Sequence, residues 1–384
     1  MKIAFLTPEF PHPKMGSSGG IGTSILNLSK GLTLLGHQVF VLVYGQKEDE
    51  VFEENDISYY KIRNIKLKGF SRLLTQKKIE RLINLLVENH QLAIVEAPDW
   101  TGITSYIKPK CPIVIRLHGS DTYFCHLDKR PVKLINKYHE KRALQHADSL
   151  LSVSHYTAVV TKQLFGLQKE FTIISNSIDI GNFAFGDKSE EQENTILYFG
   201  SLIRKKGLLE LPLIFNEVHK QNKQVKLILI GRDVSDIISG NTSTWGMMQS
   251  LFDKDALQNV NYIGSVPYNN IQHYISSATV CVFPTFAEAL PVSWIEAMAM
   301  QKAIVASNIG WATEVIDDTV NGFLVHPKNH KQFAAKVLEL FENNEMRNQF
   351  GIEARKKVAQ KFSIEVVAKQ SADFYQEVIK IINI

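Results

Sequence analysis

Two glutamates eight residues apart have the clearest chemical potential in this sequence. Glu288 lies between an apolar run that stops at Pro284 and a helical pattern that begins near Pro291, where proline suits the first turn. Glu296 lies inside that helix among apolar neighbours, so an ionised carboxylate there needs a partner. The paired hydroxyls of a ribose or a hexose can supply it. The alternative is that Glu296 lies on an exposed helix face.

A glycine-rich loop after the first apolar run is a candidate phosphate site. Gly16, Gly19, Gly20 and Gly22 precede a helical pattern. Glycines let the backbone approach an anion, and a helix N-terminus presents N–H groups to it. The spacing matches neither the dinucleotide fingerprint nor the P-loop, so a flexible turn remains the alternative.

A basic turn is a second candidate for binding phosphate. Arg204, Lys205 and Lys206 stand in the turn 200–207 directly after a strand, and Arg232 follows the next strand in the same way. Cations at the carboxyl ends of strands suit a diphosphate, and the N–H groups at the helix start near 292–293 can add to them. A surface turn is the alternative.

Polar residues also end two strands of the first half. His118 follows the strand 113–117, where its ring can hydrogen-bond a substrate hydroxyl. Glu96, Asp99 and Trp100 end the preceding strand and offer two carboxylates and an aromatic face to a polar ligand. A structural histidine and a buried tryptophan are the alternatives.

Short strands alternate with helical patterns along most of the chain. We predict strands at 3–7, 38–44, 92–96, 113–117, 149–152 and 172–175, then at 196–199, 226–230, 261–263, 280–283 and 303–306. This alternation indicates parallel sheets covered by helices on both faces. The polar stretch 187–194 reads as a linker between two doubly wound domains, whose ligand site is expected in the cleft between them. The tail from Ser363 has helical apolar spacing.

The composition excludes several classes of protein. The chain has 384 residues, 45% apolar and 21% charged, which is typical of a globular protein of about two domains. Cys111, Cys125 and Cys281 are too few and too scattered for a disulfide framework or a cysteine-rich zinc site. The apolar runs are far shorter than the roughly 20 residues of a membrane span. Residues 3–6 are too short for a signal-peptide core, so we expect a cytosolic protein.

Positive charge is concentrated in the first half. Residues 1–180 contain 23 Lys and Arg against 17 Asp and Glu, a net charge of +6, whereas the remainder contains 20 against 22, a net −2. We expect contact with an anionic membrane at the cytoplasmic face and no nucleic-acid partner; solvated helix faces are the alternative. The basic residues are Lys61, Arg63, Lys66, Lys68, Arg72, Lys77, Lys78 and Arg81, then Lys129, Arg130, Lys133, Lys137, Lys141 and Arg142. The interleaved apolar residues are Phe70, Leu73, Leu74, Leu82, Leu85 and Leu86.

The sequence resembles a known family at this point. Glu288 and Glu296 match the Glu-x7-Glu motif of the retaining glycosyltransferases of family 4 (glycosyltransferase group 1), which have the GT-B fold. The segments 175–183, 198–207, 262–267 and 314–325 follow the order and spacing of that family. The resemblance covers nearly the whole chain and is looser in the first half.

The resemblance implies two Rossmann-like domains facing across a cleft. An acceptor-binding domain would span residues 1–185, with the helix near 363–384 packed back on it, and a donor-binding domain would span 190–360. The implied reaction moves a sugar from a nucleotide donor with retention of configuration, and needs no metal or other cofactor. UDP-glucose is the first donor to expect, on family frequency, with a saccharide or lipid-linked saccharide acceptor in polysaccharide or glycolipid biosynthesis.

The resemblance also implies roles for single residues. Glu296 would bind the ribose hydroxyls, Glu288 the hydroxyls of the donor sugar, and Lys206 the diphosphate. His118 would contact the sugar near the reacting carbon, so that His118, Glu288 and Lys206 form the implied catalytic set. The other implied donor contacts are Gly19, Gly20, Ser201, Arg204, Arg232, Val266, Ala289, Leu290, Val292 and Ser293, and the implied acceptor contacts are Glu96, Asp99 and Trp100.

Departures from the family pattern leave alternatives open. Ser201 stands where the family usually has an arginine, so Arg204 or Lys205 is expected to supply the second cation. The segment 253–255 matches an Asp-x-Asp metal motif but follows a helical pattern, so we interpret it as a solvated loop. A nucleotide-sugar epimerase, or a nucleotide-sugar-binding protein without turnover, would share this fold. A nicotinamide dehydrogenase is disfavoured because neither half has the required glycine fingerprint.

Overall fold

The chain folds into two compact α/β units. The computed structural model describes residues 1–16, 18–183 and 191–382. The first unit comprises Met1–Ile178 and the final segment from Phe362, and the second comprises Asp179–Lys361, so the division precedes the expected boundary near residue 185. Of the predicted linker, residues 187–190 lie outside the described residues. Glu191 is part of the second unit, where it forms an ion pair with Lys302 at 3.1 Å.

The first unit is built around an eight-stranded sheet. The strands are β1 (Lys2–Thr7), β2 (Gln38–Gln46), β3 (Glu50–Glu54), β4 (Ile57–Arg63), β5 (Ile94–Pro98), β6 (Ile113–Leu117), β7 (Ser149–Ser152) and β8 (Thr172–Ile173). Their order across the sheet is β3-β4-β2-β1-β5-β6-β7-β8, and every neighbouring pair is parallel except β3 with β4. Successive β1 side chains enter different apolar clusters, since Ala4 belongs to one and Phe5 to the other. Both faces of the sheet are therefore covered.

The β3–β4 pair is missing from the sequence prediction. Its charged side chains hide the apolar pattern of a strand. Lys61 is only 8% exposed, and its ammonium group lies 2.6 Å from the Glu50 carboxylate on the neighbouring strand. This cross-strand ion pair allows a lysine inside a sheet, and it removes Lys61 from the expected basic surface.

Among the described residues before the second unit, five helices cover this sheet. They are α1 (Gly20–Leu34), α2 (Ser71–His90), α3 (Asp121–Leu127), α4 (Leu134–His146) and α5 (His155–Phe165). On α2, Phe70 at the N-cap and Leu85 are exposed, whereas Leu86 is buried in the core. The expected membrane-contacting surface is therefore wrong at Leu86, which lies on the sheet-facing side of α2, and Leu82 is partly buried against the same core.

The second unit contains a six-stranded parallel sheet. Its strands are β9 (Thr195–Phe199), β10 (Lys226–Ile230), β11 (Val260–Gly264), β12 (Val280–Phe283), β13 (Ala303–Ser307) and β14 (Phe323–Val325). Their order is β11-β10-β9-β12-β13-β14, which places β9 and β12 side by side at the centre. The helices are α6 (Leu211–Gln221), α7 (Thr244–Gln249), α8 (Lys254–Leu257), α9 (Ile271–Ser277), α10 (Val292–Ala299), α11 (Ala312–Val315), α12 (His330–Glu342) and α13 (Asn344–Lys357). The acidic residues of segment 253–255 are exposed around the start of α8.

The last helix, α14 (Ile364–Ile382), packs on the first unit. A π-helical turn over Val358–Phe362 leads into it. It lies against α1 so closely that a Cβ on Gly31 would be 2.8 Å from the carbonyl oxygen of Ile364. The same Cβ would be 2.8 Å from that of Ala368, and both Ala368 and Tyr375 are fully buried. Within the described part of the chain, no helix combines the length and hydropathy needed to cross a bilayer.

Candidate functional site

Glycines allow close backbone contacts on both sides of the basic turn, with Gly207 against the segment that follows β12 and Gly231 against Gly200. A Cβ on Gly231 would lie 1.9 Å from the carbonyl oxygen of Gly200, and one on Gly207 would lie 1.8 Å from that of Pro284. These glycines have positive φ angles, +137° for Gly200, +75° for Gly207 and +145° for Gly231. Only glycine fits such close backbone contacts in this conformation. The turn that contains Lys206 is therefore held at the carboxyl ends of the central strands.

Backbone hydrogen bonds fix the same turn to the loop that contains Glu288. The N–H groups of Phe286 and Ala287 donate to the carbonyl of Lys205 at 2.8 and 3.1 Å. Lys206 then lies within reach of Glu288, and its ammonium nitrogen is 3.0 Å from Oε1 of that residue. The structure thus brings together two residues that are 82 positions apart in sequence.

The Lys206–Glu288 pair is largely shielded from solvent, and its charges support each other. Burial disfavours both charged forms, but the attraction between the two groups outweighs it. The pKa of Lys206 is therefore raised, and that of Glu288 is lowered by Lys206 and Lys205. Tyr198 lies beside this pair; burial raises its pKa, and its hydroxyl donates to the carbonyl of Ser201 at 3.0 Å. The result is a fixed cation next to a fixed carboxylate.

Glu296 lies in the second turn of α10, only 5% exposed. Its Oε1 accepts a 2.6 Å hydrogen bond from the hydroxyl of Tyr268. Burial raises the pKa of Glu296 to about 7, although the Tyr268 hydrogen bond and the charge of Lys206 oppose the shift. Burial thus disfavours the ionised carboxylate, and hydroxyl groups that donate hydrogen bonds to it would stabilise that form. Tyr268 is absent from the sequence-based site; its position directly after the family-like segment 262–267, two residues from Val266, was the available signal.

The start of α10 is suited to an anion. Pro291 is its N-cap and makes no side-chain hydrogen bond, and the first turn has no acidic residue. The early N–H groups of a helix have no partner within the helix and carry partial positive charge. Val292 and Ser293 supply two of these groups, while Ala289 and Leu290 are buried in the loop before them.

The remaining predicted donor contacts differ in their burial and in whether another side chain already binds them. Arg204 forms a bidentate ion pair with Asp236, with distances of 2.9 and 2.7 Å. Its guanidinium is therefore held by a protein carboxylate, which weakens its candidacy as the second phosphate-binding cation. Arg232 is exposed after β10, and Val266 is half-buried between β11 and Tyr268.

In the first unit, the position of Glu96 does not fit its predicted role in acceptor binding. Its carboxylate forms a buried bidentate ion pair with Arg116 at 2.8 and 3.0 Å. Oε2 also accepts a 2.6 Å hydrogen bond from the Tyr375 hydroxyl on α14. Glu96 is 3% exposed. It therefore ties β5 and β6 to the last helix and does not present a carboxylate to an acceptor.

Asp99 and His118 meet at the carboxyl ends of β5 and β6. The backbone N–H of His118 donates to Oδ1 of Asp99 at 2.9 Å. Burial raises the pKa of Asp99 to about 7, although this hydrogen bond opposes the shift. Burial and the Arg116 charge lower the pKa of His118 to about 3, so its ring is neutral at pH 7. Trp100 follows, half-buried, in a short 3-10 turn.

The carboxylate of Glu9 lies beside the glycine loop of the first unit. Helix α1 begins at Gly20, and Gly19 is its N-cap. Oε1 of Glu9 accepts a hydrogen bond from the N–H of Gly22 at 3.2 Å, and a Cβ on Gly19 would be 3.2 Å from the same atom. A phosphate at this helix start would meet the Glu9 carboxylate. Ser17, inside the predicted phosphate loop, lies outside the described residues.

Two family matches together span nearly the whole chain. Residues 18–182 match the family described as Glycosyltransferase Family 4, and residues 180–357 match Glycosyl transferases group 1. The chain belongs to the GT-B glycosyltransferases of group 1 and family 4. The family resemblance and the fold class predicted from the sequence are confirmed.

Relatives of this glycosyltransferase extend over its full length at low identity. It is 24% identical to an uncharacterized glycosyltransferase of Methanocaldococcus jannaschii over 393 residues, 98% of each chain. Its fold is similar to that of sucrose-phosphate synthase from Thermosynechococcus elongatus, with a TM-score of 0.82 at 18% identity over 99% of each chain. HepE from Anabaena, in complex with UDP-glucose, has a TM-score of 0.75 at 18% identity, covering 98% of this glycosyltransferase and 100% of HepE.

Proposed function

We propose that this glycosyltransferase transfers a hexose from a nucleoside-diphosphate sugar to a saccharide or lipid-linked saccharide, with retention of configuration and without a metal. The contact between Lys206 and Glu288, 3.0 Å long, carries this proposal, because it places a cation for a diphosphate beside a carboxylate for sugar hydroxyls. UDP-glucose is the first donor to test, since HepE is seen in complex with it. The alpha-maltose-1-phosphate synthase and alpha-monoglucosyldiacylglycerol synthase among its relatives favour a hexose donor.

Each donor group has a complementary partner in the second unit. Glu296 would accept hydrogen bonds from the ribose hydroxyls, and Glu288 from hydroxyls of the sugar. Lys206 would bind the diphosphate: an ammonium group has three donors, and the contact with Glu288 uses one of them. The N–H groups of Val292 and Ser293 would meet the phosphate oxygens at the start of α10.

Charge development explains how these residues would accelerate the reaction. Cleavage of the anomeric C–O bond builds negative charge on the leaving diphosphate and positive character on the sugar. A fixed ammonium group and fixed helix-end amides stabilise the first charge without reorganising in the transition state. Attack from the same face, with the departing phosphate oxygen taking the acceptor's proton, gives retention. No protein nucleophile is then required, and the neutral His118 ring would contact the sugar near the reacting carbon.

The acceptor side is proposed from the first unit. Trp100 offers an aromatic face to a saccharide, whereas the Glu9 carboxylate at the start of α1 disfavours a diphosphate beside Gly19 and Gly20. The exposed Phe70 and Leu73, with Lys66 and Lys68 nearby in sequence, support contact with an anionic membrane surface at the cytoplasmic face. Capsular polysaccharide and teichuronic acid glycosyltransferases among the relatives support a polysaccharide or glycolipid acceptor.

Donor turnover and donor binding test the proposal separately. Incubating the protein with UDP-glucose and candidate acceptors should give an α-linked product detectable by NMR, and EDTA should leave the rate unchanged. Without acceptor, rearrangement of the sugar would instead identify an epimerase. Glu288→Gln should abolish transfer while leaving the protein folded. Binding of nucleotide sugar with no transfer to any saccharide or lipid-linked acceptor would contradict the enzymatic proposal.

A further inference from the structure

Tyr268 already donates a hydrogen bond to the Glu296 carboxylate, the group that is assigned to the ribose. Its hydroxyl donates to Oε1 of Glu296 at 2.6 Å, a short distance typical of a hydroxyl bound to an ionised group. A ribose hydroxyl is a donor of the same kind. The protein's own tyrosine therefore makes the contact that the ribose of a donor would have to make.

The two partners differ greatly in how firmly they are held. Glu296 is 5% exposed and lies on α10 between buried apolar residues. Tyr268 is 41% exposed and begins a single 3-10 turn, Tyr268–Asn270, after Pro267. Its ring packs edge-on against Phe183 at 5.9 Å between centroids. A ligand that approaches the carboxylate would therefore move the tyrosine, because the glutamate has no room to move.

The hydrogen bond provides the buried Glu296 carboxylate with a donor. A buried carboxylate without a partner is costly, and no protein cation contacts Glu296 among the described residues within ion-pair distance. Tyr268 supplies a donor until a nucleotide arrives. The hydrogen bond stabilises the ligand-free protein and competes with the ligand. Its removal should therefore lower the stability of the protein and raise its affinity for the ligand.

We propose that Tyr268 is a specificity-determining residue of the nucleoside site, whose hydroxyl caps Glu296 and is displaced by the ribose 2′- and 3′-hydroxyls of the donor. This inference rests on the proposed role of Glu296 and deepens it. A nucleotide that lacks both hydroxyls leaves Tyr268 in place. Tyr268 therefore sets both the affinity for ribonucleotides and the penalty for binding a nucleotide without these hydroxyls.

Tyr268→Phe separates this role from a structural one. The variant keeps the ring against Phe183 and removes only the hydroxyl. Because it removes the competitor, calorimetry should show UDP binding about tenfold more tightly than to the wild type. Affinity for 2′,3′-dideoxy-UDP should not improve, because the buried carboxylate then has no hydroxyl partner. The thermal midpoint of the ligand-free protein should fall. General damage to the site would lower both stability and UDP affinity.

Two comparisons keep the outcomes distinct. Tyr274→Phe removes a hydroxyl from α9 without touching Glu296, and should bind UDP as the wild type does. If the wild type prefers UDP over dideoxy-UDP but Tyr268→Phe leaves UDP affinity unchanged or weaker, the Tyr268 proposal is overturned and the ribose assignment stands. If the wild type binds both nucleotides equally, the assignment of Glu296 to the ribose is overturned, and the proposal for Tyr268 with it.

Discussion

The backbone N–H of His118 donates to Oδ1 of Asp99 at 2.9 Å, which joins the carboxyl ends of two neighbouring strands of the first unit. Asp99 is 1% exposed, so its carboxylate acts on the His118 loop and is not available to an acceptor without rearrangement. The nearby Thr101 has a φ of +52°, which is unusual for a β-branched residue. Local strain of this kind is typically held where position matters for function.

Asp99 is therefore expected to act as a positioning residue for His118. Asp99→Ala removes the acceptor, and a shift of about 1 Å in a reacting group can lower a rate about 100-fold. We expect kcat for sugar transfer to fall by about that factor with little change in the donor KM. Asp99→Asn keeps an oxygen acceptor and should restore most of the rate. Equal loss in both variants would contradict this role.

Lys206, and not Arg204, is expected to be the principal cation for the diphosphate. Arg204 is held by Asp236, whereas Lys206 faces Glu288 in the candidate site. A charge-assisted hydrogen bond contributes about 1.5–3 kcal/mol, so Lys206→Met should raise the Kd for UDP-glucose about 10–100-fold. Arg204→Met should change this Kd much less.

Lys206→Met also leaves Glu288 without its ion-pair partner. The Lys206→Met, Glu288→Gln double variant is therefore the matched control. A larger effect at Arg204 would reverse the assignment.

Donor affinity is expected to rise with pH because of Glu296. Its pKa of about 7 lies above the ordinary value, so the protonated form of Glu296 predominates below pH 7. Hydroxyl donors favour the ionised form, so UDP-glucose should bind about tenfold more tightly near pH 8 than near pH 6, with proton release on binding. Glu296→Gln should abolish both the pH dependence of affinity and the proton release. Calorimetry in buffers of different ionisation enthalpy measures the proton release.

The same pKa of Glu296 has the opposite effect on protein stability. The raised pKa stabilises the folded state at low pH, and this contribution is lost as pH rises through 7.

The ion pair of Glu96 and Arg116 is expected to stabilise the first unit. Both side chains are almost completely buried, so Glu96→Gln leaves the guanidinium without its charge partner. We expect the free energy of unfolding to fall by about 3–5 kcal/mol. Asp373→Asn, which breaks an exposed pair with Lys369 on α14, should leave it nearly unchanged. Urea denaturation with hydrogen exchange in β5 and β6 tests this; equal effects of the two substitutions would contradict it.

Gly207 is expected to be needed for the basic turn, and Gly240 provides the control. The two glycines have nearly the same φ, +75° and +74°, but a Cβ on Gly207 would clash with the backbone of Pro284, whereas the one on Gly240 would meet open space. Gly240→Ala should cost only the conformational penalty of about 1–2 kcal/mol. Gly207→Ala should add about 1–3 kcal/mol or more of steric cost and weaken UDP binding by moving Lys206. Similar losses of stability in both variants would show that space does not decide the effect.

Several features were predictable because they depend on nearby residues in the chain. Strands such as β6 and β10 are short apolar runs, and the helix after Glu288 begins where Pro291 predicts it. The alternation of such elements indicates parallel sheets, which the two sheets confirm. The partners of the site residues were harder to predict. Arg204 was expected to face a phosphate, but it pairs with Asp236, which lies 32 positions away on another loop.

The sequence by itself determined the fold class, the family and which residue types end the strands, because periodicity and local motifs depend on residues close together in the chain. Only the tertiary structure decided which of those residues have a partner within the protein. Glu96 and Tyr375 are separated by 279 positions, yet their hydrogen bond withdraws that carboxylate from the predicted acceptor set. Tyr268 and Glu296 are 28 positions apart and meet only when β11 and α10 are packed. The physical reason is that the ionisation and availability of a side chain depend on burial and on contacts across the fold.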